Sequence, residues 1–97
     1  MTVCAPKNKY ELYDMLYFAY QYHGPIAIRY PRGGAYEGFK NMRSPIEYGK
    51  SELMFEGEKI ALVAVGSMVE TAVRVREQLQ EKGINATVVN ARFVCPL

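Results

Sequence analysis

The stretch IALVAVGSMVETAVRVREQLQEKGINATVVN, residues 60–90, carries the pattern from which the fold class follows. Residues 60–65 are apolar at every position, which is typical of a parallel strand covered on both faces. Residues 67–70 have the S-x-x-E sequence of a helix N-terminal capping box, and Gly83 is a residue type that ends helices. A second strand is predicted over residues 84–90. This order of strand, helix and strand predicts a βαβ unit with parallel strands in an α/β fold.

A further short strand is predicted immediately before this unit. Residues 52–55 read ELMF, and a turn at Glu56–Gly57 leads from them into the apolar strand. Glycine is a strong turn signal at such a position. The second half of the chain therefore reads as the opening of an α/β domain.

The first half predicts a helix followed by a strand. Residues 8–11, NKYE, resemble a capping box, and apolar residues then recur at helical spacing. The helix is predicted over residues 9–22. It should stop at Gly24–Pro25, because glycine accepts the left-handed cap conformation and proline cannot continue the hydrogen-bond ladder. A strand over residues 26–30 follows and ends at the next proline.

The sequence predicts two partial domains joined by a linker. Residues 34–51 are rich in Gly, Asn, Ser and Pro, show no sustained period, and are longer than most connections inside a compact domain. This gives a first unit over residues 1–33, a linker over 34–51 and a second unit over 52–97. Two parallel strands do not normally make an independent sheet, so we expect the chain to be a fragment of something larger.

Composition excludes several classes of partner. The chain has 12 Lys and Arg against 10 Asp and Glu, with no basic block, so no nucleic acid or anionic membrane is expected. No apolar run approaches the roughly 20 residues that a membrane span needs. Cys4 and Cys95 lie far apart without metal-ligand spacing. We therefore expect a cytoplasmic protein with reduced thiols.

Several strings of this sequence carry a family resemblance. They are GPIAIRYPRG at residues 24–33, VGSMV at 65–69 and VNARFV at 89–94, together with MTV at the start and APKN at 5–8. In this register the chain resembles the 1-deoxy-D-xylulose-5-phosphate synthases, a family of transketolase-like thiamine-diphosphate enzymes. The resemblance extends over essentially the whole chain, and RYPRG together with NARFV distinguishes it from related families.

The resemblance implies an activity and an organisation. Members of the family condense pyruvate with glyceraldehyde 3-phosphate, with loss of carbon dioxide, to form a precursor of isoprenoids, thiamine and pyridoxal. They use thiamine diphosphate and Mg²⁺ and have three α/β domains in a homodimer. By this resemblance, residues 1–33 are similar to the end of the pyrimidine-binding domain, 34–51 to the interdomain linker and 52–97 to the start of the C-terminal domain. The isolated chain is expected to bind no cofactor or metal, to contain no catalytic residue and to be inactive.

One functional residue of the family matches a position in this chain. The second arginine of RYPR is Arg32, and the resemblance implies that it binds the phosphate of glyceraldehyde 3-phosphate. A guanidinium suits this role, because it is always charged and offers a rigid fork of donors to phosphate oxygens. Arg29 is the weaker candidate. The alternative, without the resemblance, is that both arginines are solvated charges at the end of a strand.

Other functions remain open at the level of the sequence. The chain could be a free-standing small α/β binding or assembly module. Among enzymes, a part of transketolase or of the β subunit of pyruvate dehydrogenase is the alternative. The expected partner is the rest of the enzyme or a second copy of the chain, in a homodimer that could form by swapping.

Overall fold

A computed structural model describes residues 1–30, 34 and 36–95 of the chain. Its elements are β1 (Thr2–Cys4), α1 (Lys9–Gln21), β2 (Ile26–Ile28), β3 (Glu52–Phe55), β4 (Ile60–Ala64), α2 (Met68–Glu81), β5 (Ala86–Asn90) and β6 (Phe93–Cys95). The strands form two three-stranded sheets, so the predicted α/β fold class is confirmed. Neither helix of the described residues is long and apolar enough to cross a membrane.

The first sheet has the strand order β2-β1-β6. Strands β1 and β2 are parallel and are connected through α1, so the first half of the chain is also a βαβ unit. Strand β6 pairs antiparallel with the other edge of β1. Sequence analysis missed β1 and β6, because a three-residue strand is too short to show an alternating pattern. The strand predicted after the helix corresponds to β2, which forms one edge of this sheet.

Helix α1 begins with the capping arrangement that the sequence predicts, with one difference. The side-chain Oδ1 of Asn8 accepts a hydrogen bond from the Glu11 backbone N–H at 2.7 Å. In a standard capping box the glutamate side chain accepts a hydrogen bond from the backbone N–H of the N-cap residue. Here the Oε1 of Glu11 accepts instead from the N–H of the preceding residue, Lys7, at 2.8 Å. The helix ends at Gln21, one residue before the predicted end.

The second sheet has the strand order β3-β5-β4. Strands β4 and β5 run parallel in the register Ile60↔Ala86 to Ala64↔Asn90, which confirms the predicted βαβ unit. Strand β3 pairs antiparallel with β5, not with β4. The turn at residues 56–57 therefore carries the chain across β5 to the far side of the sheet.

The predicted capping box at the start of α2 is wrong. Ser67 has φ −64° and ψ −18°, and its side chain makes no capping hydrogen bond. A capping side chain requires an extended backbone at its own position. Here Gly66, with φ +62°, already makes the turn from the strand, and Ser67 follows in helical conformation. At the other end Gly83 has φ +80°, in agreement with its predicted role beyond the helix terminus.

Each sheet has its own core, and the segment of residues 36–51 packs against both. The first core is built from Cys4, Met15 and Phe93, and the second from Met54, Val69, Val73 and Val88. The predicted linker contributes Phe39 and Met42 to the second core and Ile46 to the first. Its Tyr48 stacks on Tyr22 with ring centroids 5.6 Å apart. The two cores thus share no buried residue.

The two helix starts provide a matched pair of substitutions. Asn8→Ala should lower the free energy of unfolding by about 1–2 kcal/mol, because it removes the cap of α1. Ser67→Ala should change it by less than about 0.5 kcal/mol, because its side chain caps nothing. Urea denaturation followed by circular dichroism measures both. Equal losses in the two variants would contradict this assignment of the caps.

Candidate anion-binding cleft

A cleft of about 320 Å³ lies where the carboxyl ends of strands from both sheets meet. One wall is formed by residues 5–6 after β1 and residues 29–30 after β2. The other wall is the turn between β4 and α2, residues 65–68. In open α/β sheets, ligands bind outside the carboxyl ends of the strands. The position of this cleft is therefore that of a binding site.

Arg29 supplies the positive charge of the first wall. Its backbone N–H donates to the Cys4 carbonyl at 2.8 Å, which extends the pairing of β1 with β2 by one residue. The backbone is thus fixed while the side chain is exposed. Within the described residues no carboxylate lies within ion-pair distance of its guanidinium. Arg29 is therefore available to an anionic ligand.

Arg32 lies outside the described residues, so its phosphate-binding role stays a prediction. The chain leads toward it from Tyr30, which lines the cleft beside Arg29. A second, more open groove of about 610 Å³ lies between α1 and residues 43–46. Arg29 is not among the described residues that line it.

The second wall comes very close to the first. Gly66 is buried and has φ +62°, and a Cβ added to it would lie 3.3 Å from the Cβ of Ala5. Both the backbone conformation and the space available therefore favour glycine. The Ser67 hydroxyl, which caps nothing, is left to line the cleft. Sequence analysis assigned Ser67 a structural role and so missed this position.

A buried cluster of polar and charged side chains adjoins the first wall. We call it the ion cluster; its members are Lys7, Glu11, Glu52, Asn90 and Arg92, and each is at most 7% exposed. They come from three places in the chain, residues 7–11, residue 52 and residues 90–92. Two are basic and two are acidic, so the cluster is neutral when all four are charged. Buried charges of this kind are tolerated only when they are paired and hydrogen-bonded.

Lys7 uses its ammonium group to join three parts of the chain. Its Nζ donates to Glu52 Oε1 at 2.6 Å and to the Met42 carbonyl at 2.8 Å. It also lies 3.5 Å from Glu11 Oε2. The ammonium group thus makes two hydrogen bonds and one longer ion pair. Lys7 therefore ties the β1–α1 connection to β3 and to the predicted linker.

Arg92 makes an equivalent set of contacts from the turn between β5 and β6. Its Nε donates to Glu11 Oε2 at 2.9 Å, and Nη1 and Nη2 donate to the carbonyls of Pro45 and Ser44 at 2.8 and 3.0 Å. The residue has φ +62°, a conformation that is costly for a residue with a side chain. The three hydrogen bonds of its rigid guanidinium hold it there.

Asn90 lies between the two carboxylates. Its Nδ2 donates to both oxygens of Glu11 at 3.0 Å and to Glu52 Oε1 at 3.2 Å, while its Oδ1 accepts from the Arg92 N–H at 3.2 Å. Ser44 Oγ completes the set with a 3.0 Å bond to Glu52 Oε2. Both carboxylates are therefore surrounded by donors.

The ion cluster was not predicted from the sequence, because the contacts that unite it join residues 7–11, 52 and 90–92, which are far apart in the chain. A signal was present in the strands. Glu52 alternates with Met54 on the buried side of β3, and Asn90 alternates with Val88 on the buried side of β5. A polar residue in phase with buried apolar residues predicts a buried partner.

The surroundings of the buried titratable groups set their protonation. Burial of Glu52 acts to raise its pKa, but the hydrogen bond and charge of Lys7, with hydrogen bonds from Asn90 and Ser44, outweigh burial and hold the pKa below its usual value. Burial, with a smaller contribution from the charge of Glu11, raises the pKa of the Cys4 thiol to about 11. Glu52 is therefore ionised and Cys4 is protonated at neutral pH.

Comparison with known proteins gives the class to which this arrangement belongs. The family described as "Transketolase, C-terminal domain" matches residues 49–97. The chain belongs to the transketolase C-terminal domain family.

The most similar relatives include 1-deoxy-D-xylulose-5-phosphate synthases. The enzyme of Lachnoclostridium phytofermentans is 55% identical over 97 residues, and that of Aquifex aeolicus is 48% identical over 101 residues. Each match covers the whole of this chain but only 16% and 15% of the relative. The predicted resemblance is confirmed, and the chain spans about a sixth of the length of these relatives.

Solved structures of transketolases share the fold. A protein described as a split gene transketolase, inactive beta4 tetramer, aligns with a TM-score of 0.85 and 30% identity, over 95% of this chain and 31% of that one. A mutant transketolase of Pichia stipitis in complex with fructose-6-phosphate aligns with a TM-score of 0.78 and 26% identity, over 96% of this chain and 14% of that one. The spatial arrangement of both halves is thus that of transketolases.

Removal of one member of the ion cluster should be far more costly than removal of a surface charge. Lys7→Met should lower the free energy of unfolding by about 3–5 kcal/mol, because it leaves a buried carboxylate without its partner. Lys9→Met breaks an exposed ion pair with Glu37 and should leave stability nearly unchanged. Chemical denaturation compares the two. A loss at Lys7 no larger than that at Lys9 would show that the cluster is not held as described.

The ion cluster also predicts the direction of the pH dependence. The pKa of Glu52 is lower in the folded chain than in the unfolded one, so the folded state gains stability from Glu52 above the unfolded pKa of about 4.5. This stability should be lost as the pH falls through the lower, folded pKa. Denaturation midpoints are measured at a series of pH values from 7 downward. Below about pH 4.5 the midpoint of the native chain should fall more steeply with pH than that of Glu52→Gln. Parallel curves in that range would contradict the prediction.

Proposed function

We propose that this chain is part of a 1-deoxy-D-xylulose-5-phosphate synthase. In this proposal the whole enzyme condenses pyruvate with glyceraldehyde 3-phosphate, with loss of carbon dioxide, in the synthesis of precursors of isoprenoids, thiamine and pyridoxal. Residues 1–33 belong to the end of the pyrimidine-binding domain, 34–51 to the linker and 52–97 to the start of the C-terminal domain. The observation that carries the proposal is 55% identity to one such synthase over the full chain.

Within that enzyme, the cleft binds the phosphate of the acceptor substrate. Arg29 is exposed in the cleft at the carboxyl end of β2, and Arg32 follows it by three residues in the string that matches the family. A phosphate is recognised best by guanidinium groups, because they donate two parallel hydrogen bonds and remain charged. The described residues of the chain contribute binding and orientation of substrate.

The cofactor of the proposed enzyme does not fit the described residues. Mg²⁺ that carries a diphosphate is held by one or two carboxylates together with phosphate oxygens and water, and the described residues that line the cleft include no carboxylate. Glu11 and Glu52 are already surrounded by donors. The charged side chain that lines the cleft is Arg29, a cation with no acceptor atom to bind a metal ion.

We propose that the chain works together with the rest of the enzyme or with a second copy of itself. The chain covers about a sixth of its synthase relatives, so most of the enzyme lies in residues that it does not contain. A role as an assembly module is the second candidate. It is supported by the similarity to the split gene transketolase, which is described as a tetramer and as inactive.

The phosphate role predicts the effect of removing each arginine. Arg29→Ala and Arg32→Ala should each weaken binding of inorganic phosphate by about tenfold or more, since each removes charge-assisted hydrogen bonds worth about 1.5–3 kcal/mol. Arg74→Ala, on the exposed surface of α2, should bind phosphate like the native chain. Amide chemical shifts of residues 65–68 report binding. Equal phosphate affinity in all four proteins would contradict the role.

An activity assay tests whether the chain alone is a complete enzyme, which neither candidate function expects. The chain alone, with pyruvate, glyceraldehyde 3-phosphate, thiamine diphosphate and Mg²⁺, should form no 1-deoxy-D-xylulose 5-phosphate, because it covers only about a sixth of the synthase to which it is 55% identical. Product formation is followed by mass spectrometry, with light scattering on the same sample to give the size of the assembly. Product made by the chain alone would overturn the proposal that the rest of the enzyme is required.

A further inference from the structure

The two walls of the cleft belong to different sheets. Residues 5–6 and 29–30 follow strands of the first sheet, and residues 65–68 follow β4 of the second. The two hydrophobic cores share no buried residue. Apolar packing inside each core therefore does not by itself fix the distance between the walls.

The ion cluster lies at the base of both walls. Lys7 directly follows residues 5–6 of the first wall. Asn90 pairs with Ala64, the residue before the second wall, and the Ala91 N–H donates to the Ala64 carbonyl at 2.8 Å. The cluster is thus one residue away from each wall along the chain or across the sheet.

The members of the ion cluster bridge the boundary between the sheets. Lys7 and Glu11 belong to the β1–α1 region, Glu52 and Asn90 belong to the second sheet, and Arg92 lies on the connection into β6. The shortest contact across the boundary is the 2.6 Å bond from Lys7 Nζ to Glu52 Oε1. The Ala5 N–H of the first wall donates to the Arg92 carbonyl at 2.7 Å, which continues the pairing of β1 with β6 and ties Arg92 to the first sheet.

Buried ion pairs fix position more strictly than apolar contacts do. Hydrophobic surfaces can slide at little cost, since the effect is not directional. A buried charge that loses its partner is strongly unfavourable, so the observed placement of the two sheets, which keeps Lys7 paired with Glu52, is favoured over displaced ones. The close contact of Gly66 with Ala5 shows that this placement brings the walls together.

We propose that Lys7 and Glu52 are positioning residues that hold the two walls of the Arg29 cleft at the separation at which the cleft binds an anion. They act through the backbone of the walls and do not touch the ligand. The positioning of the walls stands on the geometry of the cluster alone. Its effect on ligand binding rests on the phosphate role proposed above.

The test measures the placement of the two sheets directly. Nitroxide labels are attached to the 97-residue chain at Gln21→Cys on α1 and Gln78→Cys on α2, with Cys95→Ser because Cys95 is exposed and Cys4 is buried. Pulsed electron paramagnetic resonance then gives the distribution of distances between the helices. The native cluster should give one narrow distribution.

Two substitutions of glutamate separate the cluster from surface charge. Glu52→Gln keeps the shape of the side chain but removes the charge opposite Lys7, and the distribution should broaden. Glu37→Gln breaks the exposed pair with Lys9 and should leave the distribution unchanged. Should Glu52→Gln not fold, Ser44→Ala removes only the 3.0 Å bond to Glu52 and should broaden the distribution to a smaller extent. An unchanged width in the folded variant would overturn the inference.

Titration with inorganic phosphate connects the placement of the walls with binding. The titration follows the amide signals of the folded state. A loss of affinity measured from these signals is therefore distinct from a loss of folded protein. Phosphate affinity should fall about fivefold or more in Glu52→Gln, as expected for a loss of about 1 kcal/mol, and stay constant in Glu37→Gln. Broadening with unchanged affinity would overturn the role of the cluster in binding. Broadening in a chain whose native form binds no phosphate would support the positioning of the walls and overturn the proposed phosphate role.

Discussion

The pairing of Lys7 with Glu52 is the contact on which the arrangement of this molecule depends. Each sheet has its own small core, and neither core extends across the boundary. The ion cluster does extend across it, and it also binds carbonyl groups of residues 42, 44 and 45. Burying four charges is expensive, so the cluster contributes more to the choice of one arrangement than to net stability. Its neutrality and complete hydrogen bonding make that choice possible.

Much of the fold could be predicted from the sequence, because the second half contains a βαβ unit with a strong apolar pattern. The apolar run at residues 60–65, the glycine at 83 and the following strand predict the βαβ unit that the structure contains. The short strands β1 and β6 could not be predicted, since three residues show no period and their pairing is set by distant parts of the chain. The S-x-x-E pattern at residue 67 misled, because the conformation of Gly66 decides how α2 begins.

Only part of the candidate site could be predicted from the sequence. Arg29 was named from sequence and lies in the cleft, while Arg32 is outside the described residues. The opposite wall and the ion cluster were not accessible, because they depend on the packing of two sheets whose residues are far apart in sequence. Glu11 illustrates the difficulty. Local sequence gives it a role in a helix cap, and the tertiary structure adds contacts with Asn90 and Arg92.

The pairing of Val3 with Cys95 joins residues from the two extremes of the described chain. Contacts between residues so distant in sequence carry a large loop-closure entropy, and such contacts form slowly. The second sheet, in contrast, is built within residues 52–90, and its longest pairing joins Glu52 with Asn90. The pairing of β1 with β6 closes a longer loop than this, so we expect it to form after the second sheet. Until then an edge of β1 remains open to pairing with other chains.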